Sequence, residues 1–345
     1  MQHRAVFKTY CVLAVGVITA SCGMLSTQVE QALVWPAPPA PPRIQYVATL
    51  RSQSSFDLQT PAERVVRWLK GDDDSVGPSV FQKPYDVAAN AGLVVVTDTL
   101  AGRVQVFDLA RRKVFAIGWR GDGQLLKPSG VAVTDDGTIY VSDLGQRVVW
   151  VYDRMGHYVR ELGRNAGLVR PVDVAVTAHG EYIYVVDAGG VDSLQHRVVR
   201  LDAEGAVRGE LGTRGTGPGE FNLPTQAAVG PDGSLYVLDS GNFRVQVFDA
   251  DGKWLRQFGA PGDQPGDFAR ARGLAVDALG QIYVSDAAFQ NVQIFNAVGE
   301  WLLTFGEPGV GPGRFLLPAG VACDAQAGIY VVDQLHARVD VFRRF

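Results

Sequence analysis

From residue 84 onward, apolar and polar positions follow a period of two, in short runs broken by Gly, Asp and Asn. That period belongs to β-strands and excludes a helical solenoid, whose apolar positions recur every 3.6 residues. Two kinds of run recur. One is apolar up to a closing aspartate: Ile139-Tyr140-Val141-Ser142-Asp143, with later copies ending at Asp187, Asp239, Asp286 and Asp333. A first, degenerate copy is Val94-Val95-Val96-Thr97-Asp98. The other kind begins with Arg and alternates, as in Arg103-Val104-Gln105-Val106-Phe107, with copies starting at Arg147, Arg197, Arg244, Asn291 and Arg338. A Pro-led segment such as Pro128-Ser129-Gly130-Val131-Ala132-Val133 precedes each closing-aspartate run except the fifth, where Ala271 stands in for proline. A looser strand, such as Trp254-Leu255-Arg256-Gln257-Phe258, ends most units.

The closing aspartates lie 45, 44, 52, 47 and 47 residues apart. A unit of that length with four short strands and Asp-Gly turns is a propeller blade, so the pattern predicts an all-β, six-bladed β-propeller. The sixth unit stops after its third strand, at Phe342. An orphan strand-like segment at 43–50 is therefore expected to supply the missing outer strand and close the ring, covering an otherwise open edge. Thr60-Pro61-Ala62-Glu63 forms a capping box ahead of apolar Val65, Val66, Trp68 and Leu69, which predicts one short helix at 60–71.

These segments, Pro-x-Gly-Val-Ala-Val, Ile-Tyr-Val-x-Asp and Arg-Val-Gln-Val-Phe-Asp, resemble the NHL repeat, and the resemblance covers about 84–345. It implies six four-stranded blades of NHL type. Proteins of that family bind ligands, RNA or other proteins, and some are enzymes, so the resemblance specifies the fold and not the function.

The first 21 residues read as a signal sequence: Arg4 and Lys8, then an apolar run from Cys11 to Ala20 too short to span a bilayer. Thr19-Ala20-Ser21-Cys22 resembles a lipobox, the site at which a lipoprotein signal peptidase cuts ahead of a diacylated cysteine. Thr19 departs from the usual Leu. This predicts lipidation at Cys22, then a Pro-rich tether over 22–42 that favours extended polyproline II. Gly23 follows Cys22 rather than an Asp of the inner-membrane-retention kind, so the expected location is periplasmic or cell-surface, on the outer membrane rather than the inner.

Charge and cysteine content narrow the chemistry. The formal charge is −4, and cleavage of Arg4 and Lys8 takes it to −6. That disfavours nucleic acid, whose binding rests on phosphate neutralisation. With Cys323 the single cysteine of the folded part, neither a disulfide framework nor a cysteine zinc site is available. Four histidines, His157, His179, His196 and His336, fall at unlike positions of different blades. Peptide-amidating lyases share the propeller fold and use a histidine-bound zinc. Here no three-histidine shell is expected, so neither a metal, a cofactor nor a catalytic residue is assigned. Asp98, Asp143, Asp187, Asp239, Asp286 and Asp333, with Arg103, Arg147, Arg197, Arg244 and Arg338, recur in the units and read as turn-holding pairs, since an active site needs one constellation rather than six.

The informative positions are those that vary inside the repeated frame. At the starts of the innermost strands stand Tyr85, Asp86, Asp173, Gln226 and Arg272, where other units carry Gly130, Gly273 and Gly320. These polar exceptions are expected to converge on one channel mouth. The loops between second and third strands open on the same face; the third is lengthened over 188–196 and carries Asp192 and His196, and Phe243, Phe289 and Leu335 add apolar tips. The expectation is a monomeric, non-catalytic binding or protein-docking module working through that face. The alternative is a metal-dependent hydrolase or lyase of the lactonase or amidating-lyase type.

Overall fold

The computed structural model describes residues 33–56 and 80–345. The expected signal sequence, Cys22 and the helix at 60–71 lie outside the described residues.

Six antiparallel sheets are arranged as blades, with strands a to d numbered outward from the central axis. The first blade is Pro84–Asn90, Leu93–Asp98, Arg103–Asp108 and Lys113–Ile117. The innermost strands of the other five are Pro128–Val133, Pro171–Val176, Gln226–Val229, Ala271–Val276 and Pro318–Cys323. Each innermost strand neighbours the next, and the sixth returns to the first, so the ring is closed. Helical structure among the described residues is limited to two short 3₁₀ turns, Gln53–Phe56 and Ser240–Asn242.

The b strands, largely apolar up to their closing aspartates, are buried on both faces because each blade packs against a neighbour on either side. One core fills each gap between blades: Val95 and Val106 of the first blade meet Ile139, Val141 and Trp150 of the second. Each such side chain contributes about 1.5–3 kcal/mol when fully buried. A bulky residue three to five positions before each innermost strand wedges the incoming connector into that core. Phe221, Phe268 and Phe315 do this with no exposed surface, and Phe81, Leu125 and Leu168 are nearly as buried.

Closure is by the N-terminal segment, as the missing sixth-blade strand requires. Ile44–Leu50 pairs antiparallel with Arg338–Arg344, Ile44 opposite Arg344 and Leu50 opposite Val339, with a bulge between Tyr46 and Ala48. Thr49 Oγ1 donates to Asp340 Oδ1 at 2.6 Å, and the Arg338 guanidinium holds Asp340 Oδ2 at 2.9 Å. The seam thus has a polar staple as well as an apolar one.

The Pro-rich stretch differs from the extended tether the composition suggests. Val34–Trp35 pairs with Ile44 and Gln45 as a fifth strand of the sixth blade, so the prolines between form a turn. Trp35 supplies the reason: its ring packs on Phe305 and Phe342, at 6.1 and 5.7 Å between centroids. Polyproline II has no internal hydrogen bonds to oppose this, and an aromatic pair contributes about 0.5–1.5 kcal/mol beyond its buried area. Trp35→Ala should therefore lower stability by about 1–2 kcal/mol in chemical denaturation, with the closing strand still paired. An unchanged midpoint would show that the hairpin is not part of the cooperative fold.

Candidate functional site

The register defines the two faces of the ring. Innermost strands start opposite the ends of b strands, as Pro84 faces Asp98, and c strands start there too, as Asp98 faces Arg103. One face therefore carries the starts of the a strands, the b–c turns and the d–a connectors. The other carries the a–b and c–d turns.

On the first face the six closing aspartates have no exposed surface. Each accepts hydrogen bonds from backbone N–H groups of the connector arriving at its own blade: Asp98 from Gln82 and Lys83, Asp286 from Ala269 and Arg270, Asp333 from Leu316 and Leu317. Arg197 pairs with Asp187 at 3.1 Å and Arg244 with Asp239 at 2.8 Å. Arg244 also donates to the carbonyls of Thr216, Gly217 and Glu220, and Arg338 to those of Gly311 and Arg314. These groups hold loops. Arg147 departs from the pattern: Val148 is the residue opposite Asp143, and Arg147 sits exposed in the turn at φ 60°. The second b–c turn has the same four residues as the first, but its arginine follows the aspartate by four positions instead of five and so falls one short of the pairing slot.

The residues expected at the channel mouth do converge, and they close it. Asp86, Asp173 and Gln226 are 3, 3 and 4% exposed. Each reaches across to the backbone of the next blade: Asp86 Oδ2 accepts from Val131 N at 3.0 Å, Asp173 Oδ2 from Ala227 N at 2.8 Å, and Gln226 Oε1 from Leu274 N at 2.6 Å. Gln226 Nε2 donates to Asp86 Oδ1 at 2.5 Å across the throat. Asp86 and Asp173 are close enough that the charge of one bears on the titration of the other. Burial pushes Asp86 up to about 6, against the pull of the Val131 N–H and Gln226. Asp173 is held well above the carboxylate range by burial and then by the Asp86 charge.

Glycines make room for this plug. A Cβ at Gly130 would overlap the Asp173 carboxyl and backbone, and one at Gly320 would overlap those of Asp86. The polar exceptions in the repeated frame thus have a packing reason, contrary to the sequence expectation. The alternation of Asp or Gln with Gly at one repeat position was the available signal. Directly beside the plug, Arg272 stacks on Tyr85, its guanidinium carbon 5.2 Å from the ring centroid, and both are half-buried. The loop residues divide. His196 is wholly buried and pins the long loop, with Nε2 3.0 Å from Gly190 O and Nδ1 3.2 Å from Leu223 N. It is a structural residue and is not available to a ligand. Asp192 is exposed, and Phe243 and Phe289 are half-buried.

Below the plug the channel widens into a cavity of about 300 Å³ that opens on the opposite face. Its lining begins at Val87, Val131, Val174, Ala227, Leu274 and Val321, just past the plug. Asn90, Asp135, Asp277 and Asp324 lie toward the a–b turns. Cys323 lines the same wall as a free thiol, and burial pushes it up. Among the described residues, no group of three His, Cys, Asp or Glu side chains is placed to hold a metal ion.

A closed ring of six four-stranded blades, sealed on its loop face by side chains bridging between blades, defines a β-propeller scaffold rather than an open-channel one. Residues 221–248 match the family model of the NHL repeat, and the chain is an NHL-repeat six-bladed β-propeller. It is 30% identical over 186 residues to mouse (Mus musculus) NHL repeat-containing protein 3, covering 47% of this chain and 53% of that protein. It is 31% identical over 159 residues to Protein brain tumor of Drosophila melanogaster, covering 45% and 15%. The chain matches about half the length, or less, of these relatives. Among solved structures, it resembles a protein of unknown function from Bacteroides thetaiotaomicron at 18% identity and TM-score 0.62, covering 88% of this chain and 76% of that one. A gluconolactonase from Xanthomonas campestris follows at 19% identity and 0.57, covering 76% and 87%. A streptogramin B lyase gives 13% and 0.54, covering 76% and 94%. At these identities the likeness establishes the fold alone.

Proposed function

We propose that this protein is an exported, lipid-anchored NHL-repeat propeller that works as a non-catalytic docking module, binding a protein partner on the face of its b–c turns. One observation carries the reading. The polar side chains at the throat of that face are spent on backbone of other blades, while its rim holds a group of aliphatic side chains out to solvent: Leu100, Leu126, Val191, Leu194 and Leu335 are each at least 64% exposed. Large exposed aliphatic side chains grouped on one rim are a mark of a protein interface. The lengthened loop at 188–196, pinned by His196 from beneath, holds Val191 and Leu194 outward.

A hydrolase or lyase reading has one feature on its side, the two buried carboxyls Asp86 and Asp173, both held above the usual carboxylate range. Both carboxyls are buried and already bonded to backbone N–H groups, so a substrate would have to displace the plug to reach them. The docking reading requires no such displacement.

Two outcomes follow. Val191→Ser/Leu194→Ser should abolish partner binding while the melting temperature shifts little, since both side chains are exposed and such changes usually cost within about 0.5 kcal/mol. Retained binding by that variant would place the partner elsewhere. Anchoring rests on Ala20-Ser21-Cys22 after a short apolar run. Cys22→Ser should move the protein from the membrane to the soluble fraction and leave a larger precursor. Unchanged partitioning with unchanged size would remove the anchor from the proposal.

A further inference from the structure

The docking face is also the positive end of an otherwise acidic molecule. The residue just before an innermost strand has its backbone clamped on both sides: its N–H donates to the buried closing aspartate and its carbonyl accepts from the b–c turn. This is so for Lys83, Lys127, Arg170 and Arg270, with Thr99, Leu144, Ala188 and Ala287 as the donors from the turn. The frame fixes only the backbone there, and the side chains stand exposed. Four of the six blades place a cation at this position. Arg147, displaced from its pairing slot, and Arg272, stacked on Tyr85, add two more around the same mouth.

None of these six forms an ion pair with a described residue. In the six b–c turns the acids number one, Asp192. The opposite face carries Asp135, Asp136, Asp232, Asp251, Asp277 and Asp324 in its a–b and c–d turns. The connectors of the docking face also carry Asp122, Glu220, Asp263, Asp267 and Glu307, but in the b–c turns and at or just before the starts of the innermost strands the six cations stand with Asp192 as the one exposed acid. Such a ring focuses a positive potential and steers an anionic partner to it.

Resting on the docking reading above, we propose that the partner engages this ring through an acidic polypeptide segment that also carries aliphatic side chains. The aliphatic tips of Leu100, Leu126, Leu194 and Leu335 share this face with the cations, which suits a chain bearing carboxylates and apolar groups together. Single-stranded nucleic acid is bound instead over aromatic stacking platforms. Here the Tyr85 ring is already covered by Arg272. A flat anionic bilayer would meet the exposed rim but not Arg272, which lies half-buried inside it; a side-chain carboxylate reaches that depth.

Fluorescence anisotropy of a labelled peptide of Glu-Glu-Leu repeats, titrated with the full chain, tests the proposal. Saturable binding is expected, weakening as salt screens the ring. The double variant Arg270→Glu/Arg272→Glu should bind about tenfold more weakly or worse. Because Arg272 adjoins the plug, the wholly exposed pair Lys127→Glu/Arg147→Glu provides the same reading without risk to the fold. Lys113→Glu/Lys253→Glu, at the starts of d strands on the opposite face, should leave binding unchanged. Equal affinity for a Lys-Lys-Leu peptide, or full binding by both ring variants, overturns the proposal. Binding of oligouridylate or of anionic phospholipid vesicles through these cations, with none of the acidic peptide, overturns it as well and replaces the class of partner. Partner crosslinks from the b–c face that persist while the peptide fails to bind would overturn the acidic segment and leave the docking reading standing.

Discussion

Deleting residues 43–50 should abolish the cooperative fold. The segment pairs along the whole of Arg338–Arg344 and buries Ile44 and Leu50 in two different inter-blade cores. Without it the sixth blade has three strands, an open edge and an uncovered Phe342, whose ring now meets Trp35, Tyr46, Phe305 and Phe315. Loss of two buried aliphatic residues alone costs about 4–10 kcal/mol, comparable with the total stability of a domain. Asp340 would also lose Thr49 and keep only Arg338. The truncated chain should be recovered mainly as aggregate, with a broad, low-temperature transition in any soluble fraction. A soluble truncated protein melting near the full chain would mean that the ring closes by other contacts.

Stability should fall as pH rises from about 4 to above 7, the reverse of a protein whose carboxylates are held by ion pairs. Asp86 rises from the usual 3.8 to about 6 through burial, Asp340 to about 7 for the same reason, and Asp173 rises with them. A carboxyl whose folded pKa is raised binds its proton more tightly in the fold, so its contribution is full below the unfolded value and is lost as pH passes the folded one. For Asp86 the displacement corresponds to on the order of 2–3 kcal/mol across that window. Asp173→Asn is the informative variant. Its amide keeps an oxygen for Ala227 N–H and is uncharged, as the protonated acid is. It should therefore be more stable than the native chain at pH 8, about equal at pH 4, and show a flatter profile between. Asp86→Ala, by contrast, strands Gln226 Nε2 and the Val131 N–H and should cost about 3 kcal/mol or more at any pH. A native profile that rises from pH 4 to 7 would show that these carboxyls are not held protonated in the fold.

The blades were legible because each is a local pattern repeated: apolar runs fix the b strands, Arg-led alternation the c strands, and a missing last strand points to the N-terminal segment that supplies it. What escaped depends on distances across the ring. Whether Asp86 and Asp173 line a mouth or plug it is decided by the radius of the innermost circle and by Gly130 and Gly320 opposite them, and neither is local. The Arg147 displacement was written in the spacing, four residues after its aspartate where Arg103, Arg244 and Arg338 follow theirs by five, but the alternating run masks it. Trp35 was hidden by its prolines, since the groove it fills is made by Phe305 and Phe342, some three hundred residues away in sequence. His196 looked chemically available because its carbonyl partners, Gly190 and Phe221, are invisible in a side-chain pattern.

The account rests on the b–c face being the one that meets a partner, and photo-crosslinking in the native cell tests this most directly. A photoreactive residue placed singly at Leu100 or Leu335 on that face should give a discrete adduct. The same residue at Leu279 or Val298, equally exposed on the a–b and c–d turns, should give none. Adducts from Leu279 and Val298 with none from Leu100 and Leu335 would contradict it and move the partner to the face where the channel opens.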